Sequence, residues 1–517
     1  MRSVETVLFL VVIATVVATF ARRLRIPAPS LLVVVGVGVG LLPGVPAVEV
    51  SPEIISLVVL PPLLFAAGEE LPLRDLKAVW RPVTVLSVGL VLASAGAVAA
   101  VVVAITPLPW EMAFVLGAVL ASTDPVAVTA LGRRLALPPR VQALVQAESL
   151  FNDATSLLLF KVALTVAVSA GALSWGHTLS QFALLAGGGL AAGALVAAGA
   201  FLVRRRTEDP VLETVVALVT PYAAYVLAES VQASGVTAVV VASVILGTLS
   251  DRVTTARIRL QLGAVYATVV FLLESVVFGL IGLQLPTLVR GLDGEGGQWL
   301  WQAAALAATA VVVRLLWVFP LSAIVQRRSG VRRPSWQVPA VVSWAGARGV
   351  VPLAAALSIP LVTSAGVPLE RRDLVVLLTA AVIVLTLVVQ GFTLAPLVRR
   401  TGIALTPDHV RREHESARLA LARAALAHLD VLSESEAVQQ VVLAQLRDRW
   451  QGRIDRIEED EPSSDSVSAA YRRLRRDLLL VEGAELTRLY ESGEITDATR
   501  RRIQRTLDLE FAGLDEP

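Results

Sequence analysis

Apolar residues in this chain run in long, nearly unbroken blocks. Thirteen such blocks occur, over residues 4–21, 27–43, 52–68, 82–105, 111–132, 142–171, 178–203, 210–231, 234–250, 262–289, 298–325, 336–359 and 373–398. A bilayer core needs about 20 mostly apolar residues per helix, so each block predicts a membrane-spanning helix. Gly and Pro inside several blocks fit that reading, because neighbouring helices re-satisfy a membrane helix's backbone. After residue 400 the pattern changes. Charged residues recur every few positions, and segments 411–430, 434–459, 467–491 and 495–512 read as amphipathic helices, with Asp460–Ser468 as a linker. The predicted architecture is all-α, with a polytopic membrane domain over 1–400 and a helical tail over 401–517.

Composition agrees. Of the 517 residues 55% are hydrophobic and 17% charged, with a mean hydropathy of +0.70, whereas a soluble domain is about 45–50% apolar and about 25% charged. A soluble enzyme of this length is excluded. Cysteine is absent, which removes disulfides, thiol catalysis and thiolate metal sites. The four histidines, at 177, 409, 414 and 428, form no metal-ligand pair in an apolar segment, so no cofactor is expected. The net charge of +2 conceals two opposite halves. Residues 401–517 hold 17 Arg and 23 Asp plus Glu, and the first 400 hold 28 Lys plus Arg against 20 Asp plus Glu. No nucleic-acid partner is expected.

Orientation follows from the short loops, because cytoplasmic loops are enriched in Lys and Arg. Alternate loops carry Arg22, Arg23 and Arg25; Arg74, Lys77 and Arg81; Arg133, Arg134 and Arg140; Arg204 to Arg206; Arg252, Arg257 and Arg259; and Arg327, Arg328, Arg332 and Arg333. The intervening loops are nearly bare, apart from Arg371-Arg372, which Glu370 and Asp373 flank. Thirteen spans then put the N-terminus outside and the tail in the cytoplasm of a bacterial plasma membrane. The first block holds only Arg2 before it and three Arg after it, which favours a retained span over a cleaved signal peptide.

Ionisable groups deep in lipid cost roughly 2.5–3.5 kcal/mol even on a lenient insertion scale. Asp124, Glu148, Asp153, Lys161, Glu213, Glu229, Glu274, Arg314 and Arg348 all fall within spans. Glu213, Glu229 and Arg314 read best as packing ion pairs. Two spans look broken beside a charge. In span five Pro125 lacks an N–H and pushes Asp124 out of helical geometry. In span twelve Gly346, Gly349 and Pro352 bracket Arg348. Interrupted spans in corresponding halves point to a transporter's binding site. Spans 1–6 and 8–13 would be inverted repeats, with span seven as the link.

Span six carries Glu148-Ser149-Leu150-Phe151-Asn152-Asp153. On a helix Ser149 and Asn152 share a face, and Ser149 lies one turn from Asp153. Asp124 and Asp153 would place two carboxylates near one midplane cavity, able to hold either a proton or a small hard cation. The alternative is two unrelated structural acids.

These residues resemble the sodium/proton exchanger branch of the monovalent cation:proton antiporters. The matching segments are Leu60–Phe65, Thr123-Asp124-Pro125, Glu148–Asp153, Gly279–Leu285, Gly346–Val350 and Gln390–Leu394, in family order. The resemblance implies crossed discontinuous helices, a homodimer, and a core domain that moves against a dimerisation domain. It implies that Asp153 is the ion- and proton-binding carboxylate, and that Asn152 marks the electroneutral branch. Thr123, through its carbonyl, and Asp124 and Ser149 would complete the monovalent cation site. Glu148 and Arg348 would form the structural intramembrane ion pair. One position departs from the pattern: many relatives carry an acid directly after Phe65, where this chain has Ala66.

The expected activity is exchange of a monovalent cation, sodium first, for a proton, without net charge. The alternatives are a potassium-selective or electrogenic antiporter, or a transporter-derived membrane sensor that signals through its tail to an unknown ligand. An intramembrane hydrolase would need a Ser-His or paired-Asp arrangement in the spans, and no span interior holds a His.

Overall fold

The computed structural model describes residues 2–24, 28–42, 55–71, 73–124, 137–168, 175–207, 209–291, 297–328, 335–362, 369, 371–433, 440–458, 462–492 and 494–515. Pro125 and the loop residues Arg25, Arg133, Arg134, Arg332, Arg333 and Glu370 lie outside them. The chain divides into two compact units, Met1–Leu405 and Thr406–Pro517.

The regular elements described in the first unit are helices: α1 (Arg2–Leu24), α2 (Ala28–Gly40), α3 (Leu60–Glu69), α4 (Leu73–Thr84), α5 (Val91–Ile105), α6 (Trp110–Ala121), α7 (Pro139–Val168), α8 (Trp175–Arg204), α9 (Pro210–Ser230), α10 (Gly235–Val253), α11 (Ala256–Gly291), α12 (Gln298–Arg328), α13 (Gln337–Trp344), α14 (Val350–Leu357) and α15 (Arg372–Thr401). A π-helical turn, Val85–Leu90, joins α4 to α5 just after Pro82, whose missing N–H interrupts the ordinary ladder. Among the described residues seven helices are long and apolar enough to cross a membrane: α4–α5 as one rod, α7, α8, α9, α11, α12 and α15. Five apolar helices are shorter, and the expected twelfth span is split into α13 and α14.

Burial ranks these helices. The most apolar stretch of α15 is 78% buried, against 22% for α8 and 17% for α12. An apolar helix that hides its whole circumference lies at the centre of a bundle, and one that shows it faces lipid. Backbones also approach closely. A Cβ on Gly36 of α2 would lie 2.7 Å from the Gly279 carbonyl oxygen, and one on Gly282 of α11 would lie 2.5 Å from that of Val33. Small residues on both faces are what let two membrane helices pack backbone to backbone.

In the second unit α16 (Pro407–Ser433), α17 (Gln440–Glu458), α18 (Pro462–Glu491) and α19 (Asp497–Asp515) are helical. The expected linker Asp460–Ser468 is corrected here: from Pro462 onward it is the start of α18. Pro fits a helix's first turn because that turn's N–H has no partner to lose. Asp497 opens α19. Arg500 donates to its carboxylate at 2.7 and 3.1 Å and holds that carboxyl below the usual range.

Candidate functional site

The two interrupted spans meet. α6 stops at Ala121, and Ser122 turns to an extended conformation at ψ 144°. The sequence explains the stop, since Asp124 precedes a proline and is pushed away from helical geometry. α13 stops at Trp344 and α14 begins at Val350, which leaves Ala345–Gly349 unwound between them. The strands of the crossing touch through the backbone: Asp124 N–H donates to the Ala347 carbonyl at 2.7 Å. A Cβ on Gly349 would overlap the Asp124 carboxylate, so only glycine lets the second break pass this close.

α7 is stitched to the first break. Ser149 donates to the Thr123 carbonyl at 2.5 Å, and the Asn152 amide donates to Thr123 Oγ1 at 3.1 Å. Ser122 donates to Asp153 Oδ1, and Ser156 donates to the Ala118 carbonyl at 2.8 Å. Thr123, Ser149, Asn152 and Asp153 are all buried, and the structure therefore gathers them with Asp124 around one crossing. The Asn152 side-chain oxygen accepts no hydrogen bond. Carboxylate, hydroxyl, amide and backbone oxygens are the ligand types a small hard cation prefers. Among the described residues no three of His, Asp and Glu lie close enough to hold a metal ion, so this donor set lacks a divalent-metal cluster.

The ion pair differs from expectation. Glu148 is held by Arg314 of α12, not by Arg348, through two hydrogen bonds of 2.5 and 2.7 Å. Arg348 donates instead to the Gly346 carbonyl and, at 3.1 Å, to the Leu120 carbonyl, while its backbone N–H donates to Thr386 at 3.2 Å. Arg314 also reaches the Val342 carbonyl at 3.1 and 3.2 Å. The physical reason lies in the breaks. A helix that ends inside a membrane leaves carbonyls without partners and a partial negative charge at its C-terminus. Arg348 satisfies the end of α6, and Arg314 satisfies the end of α13. The other intramembrane acids singled out as packing groups carry bases: Glu213 accepts from Arg204 at 3.1 Å, and Glu229 from Lys161 at 2.6 Å.

A cavity of about 600 Å³ opens onto the crossing. Ser122, Asp124, Ser149 and Asp153 line its inner part, and Glu69, Glu70 and Arg259 also border it. Residues 10–400 match the family described as the transmembrane sodium/hydrogen exchangers.

The chain belongs to that family.

Over 525 residues this exchanger-family chain is 34% identical to an uncharacterised Na+/H+ exchanger of Mycobacterium tuberculosis, covering 99% of this chain and 96% of the relative. It is 32% identical over 443 residues to the Na+/H+ antiporter ApNhaP of Aphanothece halophytica, covering 85% and 82%. The structure of the sodium proton antiporter MjNhaP1 from Methanocaldococcus jannaschii at pH 8 matches with a TM-score of 0.63 at 20% identity, over 78% of this chain and 99% of that one. That likeness concerns the fold: an all-helical polytopic transporter fold, and the exchangers as a family are transporters and not enzymes.

Sequence reasoning missed Ser122, although a polar residue just before the Thr-Asp-Pro break was a visible signal. It also missed the partner of Glu148, for which the sequence carries no signal.

Proposed function

We propose that this exchanger swaps sodium for protons across a bacterial plasma membrane by alternating access at the crossing of α6 and the α13–α14 break. Asp153 binds either the proton or the cation. Asp124, Ser149, Asn152 and the Thr123 carbonyl supply the remaining oxygens. The observation that carries this reading is the crossing itself, where two unwound segments meet through Asp124 and Ala347 at the inner end of a cavity. The Ser122 hydroxyl supports it, since it points the Asp153 carboxylate toward the break. The Asn152 side-chain oxygen, which accepts nothing else, supports it as well.

The reading includes thirteen crossings in inverted repeats, an outside N-terminus, a cytoplasmic helical tail over 401–517, and a homodimer. It also includes electroneutrality. With Asn at 152, α7 offers one carboxylate to the site, because its other acid, Glu148, is held by Arg314, and one proton leaves for each cation bound. Membrane voltage then does no net work on the cycle, whereas each unbalanced charge would be worth about 2.3 kcal/mol per 100 mV. The test is proton flux in reconstituted vesicles, with sodium, lithium and potassium compared and the membrane potential clamped. Sodium-driven flux whose reversal point ignores potential is expected. Flux with potassium alone overturns the sodium assignment, and a reversal point that moves with potential overturns electroneutrality.

A further inference from the structure

Besides Glu69 and Glu70, three carboxylates line the cavity, and the site described above uses two of them. The third is Glu274 on α11. The cavity-lining face of α11 runs from Arg259 through Leu262, Tyr266 and Val270 to Glu274. Steps of three and four residues keep these positions on one stripe of the helix. At 1.5 Å per residue the stripe is about 22 Å long. Arg259 lies near the loop end of α11. Glu274 lies at the other end of the stripe, on the cavity that Asp124 also lines.

Glu274 differs from the other glutamates within the spans. Glu148, Glu213 and Glu229 each hold a basic side chain. Among the described residues Glu274 has no hydrogen bond and no ion pair, although it is half-buried and borders the cavity. A carboxylate kept at this depth without a base is costly. A cation arriving through the cavity removes that cost. Asp124, Asp153 and Glu274 do not lie close enough to hold one ion among the three of them, so Glu274 is no third ligand of an ion at Asp153. It is a separate position. Ala66 lines the same cavity and offers no charge there.

We infer that Glu274 is an affinity-determining residue of the exchange cycle: its carboxylate holds the incoming monovalent cation at the inner end of the cavity before the ion passes to Asp124 and Asp153. The inference rests on the exchange reading above. Its effect is on occupancy, not on the step that swaps ion for proton. Glu274→Gln therefore raises the half-saturating sodium concentration about tenfold, the size of effect that one unit charge within roughly 10 Å produces at an effective dielectric constant of about 20. The maximal rate is preserved. Glu274→Asp keeps most of the affinity. Glu274→Gln combined with Ala66→Glu, which returns a carboxylate to the cavity from α3, recovers it.

The experiment measures sodium-driven proton flux against sodium concentration at alkaline pH, and equilibrium binding of radioactive sodium to purified wild type and the three variants. A half-saturation for Glu274→Gln equal to that of the wild type overturns the inference, as does a lost maximal rate at unchanged half-saturation. If the single Gln variant fails to assemble, the double variant decides: assembly without recovered affinity overturns the inference. A wild type with no sodium-driven flux removes the exchange reading, and the binding arm then still tests Glu274, since unchanged binding in Glu274→Gln overturns its role.

Discussion

Replacing Arg314 by Gln gives the sharpest test of how the broken helices are held. Its guanidinium makes two bonds of 2.5 and 2.7 Å to Glu148, and the two side chains are only 2% and 1% exposed. Removing one partner of such a buried pair costs about 3–5 kcal/mol, because a charge is left without compensation. The Val342 carbonyl at the end of α13 also loses its donors, and an unsatisfied buried acceptor adds about 1–3 kcal/mol. The loss is therefore at least about 4 kcal/mol. Thermal melts in detergent, read by size-exclusion chromatography, give Arg314→Gln, Glu148→Gln and the double variant, alongside the matching cycle with Arg348→Gln. The double variant Glu148→Gln/Arg314→Gln regains most of the stability. Its coupling exceeds that between Glu148 and Arg348 by about 2 kcal/mol, within the range for residues in contact. An equal or larger coupling to Arg348 refutes the pairing and the account of helix ends built on it.

Two further outcomes follow from the crossing. Asp153→Asn abolishes exchange in vesicles while the protein still inserts and melts normally, because an amide can weakly ligate a cation but cannot carry the competing proton; wild-type-like flux at several pH values contradicts the assignment. Gly349→Ala places a methyl group in the Asp124 carboxylate, so the crossing must shift, and exchange falls steeply with folding retained; a flux titration matching the wild type contradicts this.

Much of the molecule was legible in the chain because the causes are local. Long apolar blocks identify a membrane protein through length alone. Pro125 and the glycines around Arg348 mark interruptions through backbone chemistry, and unwound backbone lies beside both marks: at Ser122–Asp124, immediately before Pro125, and at Ala345–Gly349. The Glu148–Asp153 segment announced itself by cost, since acids in an apolar span need a reason. Helical spacing also gave the neighbourhood of Ser149, Asn152 and Asp153, and the structure bonds the first two to Thr123.

What only the tertiary structure decided is which group meets which. Periodicity gives a residue its face but not its neighbour. Arg314 and Arg348 are both buried bases near a break, and nothing along the chain says that the first takes Glu148 while the second caps α6. Gly349 is as readable as a helix breaker as Gly346, yet its role is the space it leaves for Asp124. Glu274 stands in an ordinary apolar span, and its place at the end of a cavity stripe appears only when α11 is packed against α3 and α14. Local sequence sets backbone conformation and burial cost. The pairing of charges depends on distances across helices far apart in sequence, and only the packed bundle fixes those distances.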